Sequence, residues 1–258
     1  MPDSPASLRL CSWNIHLGIE LERVLTTVRS AQHFRDLDLL LLQESSVREH
    51  QTDACRIATQ LGPSYHALQR NVDRLQGRTR GLALVWNSAA FELLAADLLP
   101  LPHLKGSTLA RRHRYWLHPL RLRPRAALVV EGLASGMKVR LYVIHLSPVG
   151  FIFQTEQMAT ILRDAAHREP CDLLIVAGDF NSLRLDRRRW AAWFDARQAE
   201  SFVNASQDVA WTFRSPSLPL RQKLDHALIR GDTAMVCTAH CPELAGSDHL
   251  PLFVSVRL

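Results

Sequence analysis

The chain has 258 residues, 47% of them hydrophobic, which fills a large core and excludes a disordered or peptide-like scaffold. Net charge is +6, nearly all of it from arginine because lysine occurs only at 105, 138 and 223, so polyanionic partners are favoured: nucleic acid, or an anionic phospholipid surface. No apolar run reaches the ~20 residues of a membrane span, so no transmembrane segment is expected.

A short polar lead, 1–7, precedes a strand predicted over Leu8–Ile15. Leu21, Val24, Leu25, Val28 and Ala31 are spaced for a helix over Leu21–Phe34. The continuous apolar run Leu37–Gln43 predicts a buried strand that closes on Gln43-Glu44. A second helix is expected over Arg48–Leu61, stopped by Gly62-Pro63. Tyr65–Gln69, Gly81–Trp86 and Phe91–Leu99 read as strands, and Pro100–Pro119 as a loop. Ala126–Glu131 and Val139–His145 form a hairpin about Ser135-Gly136. A helix over Phe151–His167 leads to the apolar run Asp172–Ala177, closed by Gly178-Asp179-Phe180-Asn181. Strict alternation there puts Asp179 and Asn181 on one face and Phe180 in the packing. A helix over Arg187–Ala196 follows, with Trp190 and Trp193 packed against a sheet, and the closing strands are Leu224–Arg230, Ala234–Ala239 and Pro251–Val256. No repeat, linker or low-complexity tract interrupts the pattern. It reads as one α/β domain over 1–258, core about 8–258, with two sheets face to face and helices outside. The five scattered cysteines, 11, 55, 171, 237 and 241, argue against a disulfide framework. With no basic-then-apolar leader after Met1, a cytoplasmic location is expected. Cys237, His240 and Cys241 lack a second pair at zinc spacing and read as strand and turn residues.

Polar side chains recur where apolar runs end. Asn14 ends the first strand, Glu44 follows Leu39–Leu42, His145 follows Leu141–Ile144, and Asp179 and Asn181 end the central run. Asp225 opens Leu224–Ile229, and Ser247-Asp248-His249 precedes the last strand. Each alone is an ordinary turn residue, but six such ends together are a way of building a site on rigid sheets.

Trp13-Asn14-Ile15, Leu42-Gln43-Glu44, Val143-Ile144-His145-Leu146, Gly178-Asp179-Phe180-Asn181, Leu224-Asp225-His226 and Ser247-Asp248-His249 occur in the order of the motifs of the endonuclease/exonuclease/phosphatase superfamily. The chain resembles that superfamily over nearly its whole length. The resemblance implies a four-layer α/β sandwich, two packed mixed β-sheets flanked by helices (DNase I-like), with the site at one end of the sheets. His16-Leu17-Gly18 and the run from Trp211-Thr212-Phe213 to Leu224-Asp225 resemble small bacterial members of unsettled substrate. Two positions depart from many relatives: Gln154 stands where an Arg precedes Gln157 by three, and His16 where some nucleases carry an acid.

What the resemblance implies is phosphodiester hydrolysis, which needs charge neutralisation, an activated water and in-line geometry. Glu44 supplies a hard oxygen for Mg²⁺ or Mn²⁺, with Asn14 and Asp248 completing or supporting that shell. Asp179 is the candidate to orient and deprotonate water, and Asn181 to hold the water or a nonbridging oxygen. His249, oriented by Asp225, binds phosphate and stabilises the pentacovalent state, and His145 donates to a phosphoryl oxygen. The proton falls either to Asp179 or to the Asp225–His249 pair. Arg80 and Arg125 are candidates to clamp phosphate or position Glu44, with a solvated surface as the competing reading. Several of Lys105, Arg111, Arg112, Arg114, Arg121, Arg123 and Arg125 form one positive stripe leading to Asp179 if the substrate is nucleic acid, whereas Arg111–Arg114 and Arg187–Arg189 otherwise read as solvated faces. A nuclease on DNA or RNA is the leading expectation, and the alternative is a phosphodiesterase or phosphatase acting on a phospholipid headgroup or small phosphate ester. A binding module that lost catalysis predicts a broken residue set, and none of these motif residues is missing.

Overall fold

The computed structural model describes residues 7–103, 123–148, 151–182, 187–194, 201–215, 217–231 and 235–257. The expected loop 100–119, and with it Lys105, Arg111, Arg112, Arg114 and Arg121, lies mostly or wholly outside the described residues, as do the side chains of Arg187–Arg189.

In chain order the elements are β1 Ser7–Asn14, α1 Leu21–Ser30, β2 Leu39–Ser45, β3 Val47–Arg48, β4 Gln51–Thr52, α2 Asp53–Leu61, β5 Tyr65–Leu75, β6 Arg78–Asn87, β7 Glu92–Leu101, β8 Arg125–Ala134 and β9 Met137–His145. Then come α3 Phe151–His167, β10 Leu173–Asp179, α4 Arg187–Trp193, β11 Val203–Asn204, β12 Phe213–Arg214, β13 Arg221–Gln222, β14 Asp225–Arg230, β15 Val236–His240 and β16 Leu252–Arg257. One sheet runs β15-β16-β1-β2-β6-β5 and the other β11-β14-β10-β9-β8-β7. Each is mixed, with a parallel pair at its heart, β1 with β2 and β9 with β10. No helix among the described residues is long and apolar enough to cross a membrane.

The apolar runs carry no polar face because each strand is covered twice. Leu39 and Leu41 join Leu10, Leu141, Val143, Ile175 and Ala177 between the sheets. Leu40 and Leu42 point the other way, with Trp13, to α1 and α2. Tyr142, Ile144, Leu174 and Val176 do the same toward α3 and α4, where Trp193 is buried and stacks on Phe180 at 5.8 Å. This is the expected four-layer α/β sandwich.

Local differences have local causes. The first helix ends at Ser30 because Ala31 is extended, and a short 3₁₀ turn, Gln32–Phe34, then drives Phe34 into the core. The second helix starts at Asp53 rather than Arg48. Glu49 and His50 adopt positive φ, 48° and 67°, and fold Val47–Thr52 into the β3–β4 hairpin, after which the Thr52 hydroxyl caps the helix by accepting from the Cys55 N–H at 3.0 Å. The strands at 65–69 and 81–86 extend into the longer β5–β6 hairpin, turned by Gln76 and Gly77 at φ 50° and 76°.

Candidate active site

Both parallel pairs end at the same end of the sandwich. In one sheet Asn14 closes β1 opposite Gln43 of β2, next to Glu44. In the other, Asp179 closes β10 with His145 of β9 on one side and Asp225 of β14 on the other. Two features sharpen this convergence. Glu44 lies at φ 55° in a bulge between Gln43 and Ser45, which turns its carboxylate out of the ladder. Gly178 sits at φ 147°, and a Cβ there would come within 2.0 Å of the Ile144 carbonyl oxygen, so only glycine lets β10 approach β9 one residue before Asp179.

Asp179 is the hub. Its Oδ1 accepts from the Asn181 N–H at 2.8 Å, and its Oδ2 accepts from Asn14 Nδ2 at 3.0 Å. The same Oδ2 is faced by His145 Nε2 at 3.6 Å and His249 Nε2 at 3.7 Å. Burial pushes its pKa up to about 7 and the Asp225 charge adds to this, against the pull of His249 and the two hydrogen bonds. Asn14 is held at both ends of its amide, because its Oδ1 also accepts from the His16 N–H at 3.0 Å.

His249 lies between two carboxylates. Nδ1 is 2.8 Å from Asp225 Oδ2, and Nε2 faces Asp179. Burial opposes its charge, yet Asp225, Asp179 and Asp248 together raise it to about 10, so the ring is an imidazolium. Its orientation is secured by Trp13 Nε1 donating to the His249 carbonyl at 2.9 Å and by the edge of Phe213 at 5.0 Å. Asp225 Oδ2 also accepts from the Thr212 hydroxyl at 2.6 Å, and that hydroxyl accepts from the N–H groups of Leu224 and Asp225. Thr212 was not assigned a role from sequence. A threonine in the bend before a distant two-residue strand carries no spacing signal.

His145 is the opposite case. It is buried, and burial together with Arg125, Arg80 and His249 holds it well below the ordinary imidazole value, so it is neutral. Its Nδ1 lies 3.9 Å from Glu44 Oε1. Among the described residues no hydrogen-bond donor reaches the Glu44 carboxylate. Burial raises Glu44 in spite of Arg80, His249, His16 and Arg125 nearby.

Asn181 departs from the alternation expected of it. The strand ends at Asp179, Asn181 turns to φ 48°, and its Nδ2 donates to the Leu146 carbonyl at 3.0 Å. It therefore braces Asp179 through its backbone rather than standing beside it on a strand face. Gln154, where an Arg occurs in many relatives, ties this turn to the next by donating to the carbonyls of Ser147 and Asn181 at 2.9 and 2.8 Å.

Neither candidate arginine is solvated: Arg80 is 4% and Arg125 6% exposed. Arg80 does not offer a free clamp, because Nε and Nη2 grip Asp73 at 2.7 and 2.8 Å. Its charge still acts on Glu44. Arg125 Nη1 reaches the His145 carbonyl at 3.4 Å, and burial, with Arg80 beside it, lowers it to about 9. Both arginines line a narrow cavity that ends at His145. Asp248 lies on the other flank. Its Oδ1 is 3.6 Å from His16 Nδ1 and 3.2 Å from the Ser247 hydroxyl, and it opens on a groove of about 580 Å³ shared with His16, Trp211 and Arg214.

Two places attract a cation. Asp179, Asp225 and His249 offer ligand atoms within 4.8 Å of one another, and Asp225 Oδ1 is buried with no partner among the described residues. There the His249 Nδ1 and Asp225 Oδ2 already engage each other at 2.8 Å, and the Thr212 hydroxyl donates to the same oxygen. The Glu44 carboxylate, half-buried and reached by no hydrogen-bond donor among the described residues, is the better fit: an all-oxygen acid suited to a hard divalent ion.

The family model described as "Endonuclease/Exonuclease/phosphatase family" matches residues 11–249. No curated protein matches the sequence significantly. Among solved structures, a family protein from Bacteroides vulgatus is similar at 16% identity and a TM-score of 0.72, covering 98% of this chain and 99% of that one. A mannosyl-6-phosphatase from Bacteroides thetaiotaomicron is similar at 13% identity and a TM-score of 0.68, covering 97% and 100%. Truncated TDP2 from Caenorhabditis elegans is similar at 17% identity and a TM-score of 0.65, covering 98% of each. At these identities the likeness is one of fold.

Proposed function

The chain belongs to the endonuclease/exonuclease/phosphatase family, and from that premise we propose that this phosphoester hydrolase is divalent-metal-dependent and cleaves phosphodiesters. One observation carries the reading: a carboxylate held near neutrality, Asp179, faces a neutral imidazole and an imidazolium, with the unpartnered Glu44 carboxylate on the far side of the neutral ring.

Glu44 would hold Mg²⁺ or Mn²⁺, with Asn14 and Asp248 in support. When bound, such an ion supplies positive charge against a phosphoryl oxygen. Asp179, poised at about 7, accepts the proton of the attacking water, the condition in which a base works best near neutral pH. Asn14 and the Asn181 N–H fix the carboxylate for that transfer. Asn181 keeps a second amide proton and its amide oxygen for the water or a nonbridging oxygen. His249, charged and held by Asp225, stabilises the pentacovalent phosphate, and neutral His145 has one N–H to give to a phosphoryl oxygen. Arg125 adds positive potential behind His145.

For the substrate class, the net charge of +6 favours nucleic acid. One observation favours a second reading, a phosphodiester in an anionic lipid headgroup: the exposed Ile19 lines the groove beside Asp248, and the nearby turn carries the exposed Leu218 and Leu220. The test of the chemistry itself is hydrolysis of a generic diester. Activity should vanish in a strong chelator and return with Mg²⁺ or Mn²⁺. Full activity in verified metal-free protein removes the metal from the mechanism.

A further inference from the structure

The short hairpin of β12 and β13 stands beside the site and is zipped to it. Arg214 N–H donates to the Asp248 carbonyl at 2.9 Å, Leu250 N–H to Thr212 at 2.7 Å, and Phe213 bridges His249. The end of this hairpin is unusual for a turn that faces water. Leu218 is 61% exposed and Leu220 42% exposed, and Ile19, in the wall of the adjoining groove, is 45% exposed. Large aliphatic side chains held together at a projecting turn cost solvation unless a partner covers them.

Two further observations say what that partner is. Three of the turn's N–H groups are answered from within: Ser215 N–H donates to the Leu220 carbonyl at 3.0 Å, Leu220 N–H to Leu218 at 2.7 Å, and Leu218 N–H to the Ser215 hydroxyl at 3.2 Å. Each N–H answered internally lowers the cost of entering an apolar phase. Directly behind the leucines, Arg214 and Arg221 are cross-strand partners. Like charges in that register repel; Arg221 lies over the Trp211 ring at 4.4 Å and 3.9 Å from Glu243, whereas Arg214 has no side-chain partner among the described residues. An anion beside Arg214 would offset its charge.

We infer that this hairpin is an interfacial anchor for an anionic phospholipid surface, with Leu218 and Leu220 entering the acyl boundary and Arg214 and Arg221 meeting headgroup phosphates. Apolar tip and basic collar together are the two signals that reversible membrane attachment requires. Nucleic acid would use the arginines but has no use for the exposed leucines. The inference rests on the phosphodiester reading only in placing the site at the membrane, since docking needs no turnover.

The test is co-sedimentation of the full chain, in chelator so that metal bridging is excluded, with vesicles of phosphatidylcholine alone and of phosphatidylcholine with an equal amount of phosphatidylglycerol. Wild-type protein should pellet with the anionic vesicles, the Leu218→Asp/Leu220→Asp variant should bind at least ~10-fold more weakly, and Arg214→Glu should remove the preference for phosphatidylglycerol. The leucine variant's hydrolysis of a small soluble diester should match wild type, which shows that it folds and separates failure of docking from failure of the chemistry. No pelleting of wild type, or equal pelleting of the leucine variant, overturns the inference. So does a leucine variant that loses affinity for an oligonucleotide while vesicle binding is unchanged, which makes the hairpin a nucleic-acid surface.

Discussion

The His249 ring donates from Nδ1 to Asp225 Oδ2 over 2.8 Å, and this contact fixes the direction of the imidazole and contributes most, with Asp179 and Asp248 adding to it, to its charge. The other end of the ring is thereby aimed at the Asp179 carboxylate. His249→Ala should lower turnover of a small diester by at least ~100-fold, the scale of a lost transition-state donor. Asp225→Asn should cost less, and Thr212→Val less again, because each acts through the orientation of His249. Steady-state kinetics on folded variants checks the order. Equal losses for all three would mean that Asp225 and Thr212 do more than orient.

Glu44→Gln should remove the divalent-ion site while leaving the fold intact, since no hydrogen bond among the described residues depends on the carboxylate. Titration calorimetry with Mn²⁺ should show a loss of at least ~10-fold in affinity. Unchanged binding would move the metal to another carboxylate.

The pH dependence of stability follows from His249. Its folded value, about 10, lies above the ordinary imidazole value of 6.5, so its contribution is complete below pH ~6.5 and is lost as pH rises through 10. In metal-free protein the melting temperature should fall across that alkaline window, and His249→Gln should flatten the fall. Asp179 works at lower pH: raised from 3.8 to about 7, it favours the fold less as pH climbs between those values. A wild-type alkaline limb indistinguishable from that of His249→Gln would mean that the ring is neutral.

Much of this arrangement is legible before folding. The two-sided burial of Leu39–Leu42 and Leu173–Ala177 appears as unbroken apolar runs, and the polar residues that close them mark the site. What escapes is whatever depends on backbone turned to positive φ or on contacts across the chain. Asn181 belongs to the first kind: alternation assumes that the strand continues, and the chain instead turns at φ 48°. Glu44 is similar, since its aim comes from a bulge that no spacing announces. Thr212 and Asp73 belong to the second kind, because each partners a residue whose neighbourhood is set only when sheets and hairpins pack. Arg80 shows the consequence. Its place in the site region is readable, but its capture by Asp73 is not.

Asp73→Ala should leave Arg80 buried without its partner and destabilise the protein by about 3–5 kcal/mol in denaturant unfolding. Replacing both by leucine should recover much of the loss. A neutral single change would mean that Arg80 finds another acid, with Glu44 the nearest candidate.

Gly178→Ala should prevent the β9–β10 approach, because the added Cβ meets the Ile144 carbonyl at 2.0 Å on backbone held at φ 147°. A loss of at least ~2 kcal/mol is expected from such a backbone clash, read as a lowered denaturation midpoint.

Turnover of bis(p-nitrophenyl) phosphate by folded Asp179→Asn protein in saturating Mg²⁺ tests the assignment of the base most directly. Asparagine keeps the size and one of the two acceptor contacts, with the Asn181 N–H or with Asn14, so the fold should survive while the proton acceptor is gone. A fall of at least ~100-fold relative to wild type, with the melting temperature little changed, is the predicted result. Wild-type rates in that correctly folded variant would contradict a catalytic Asp179.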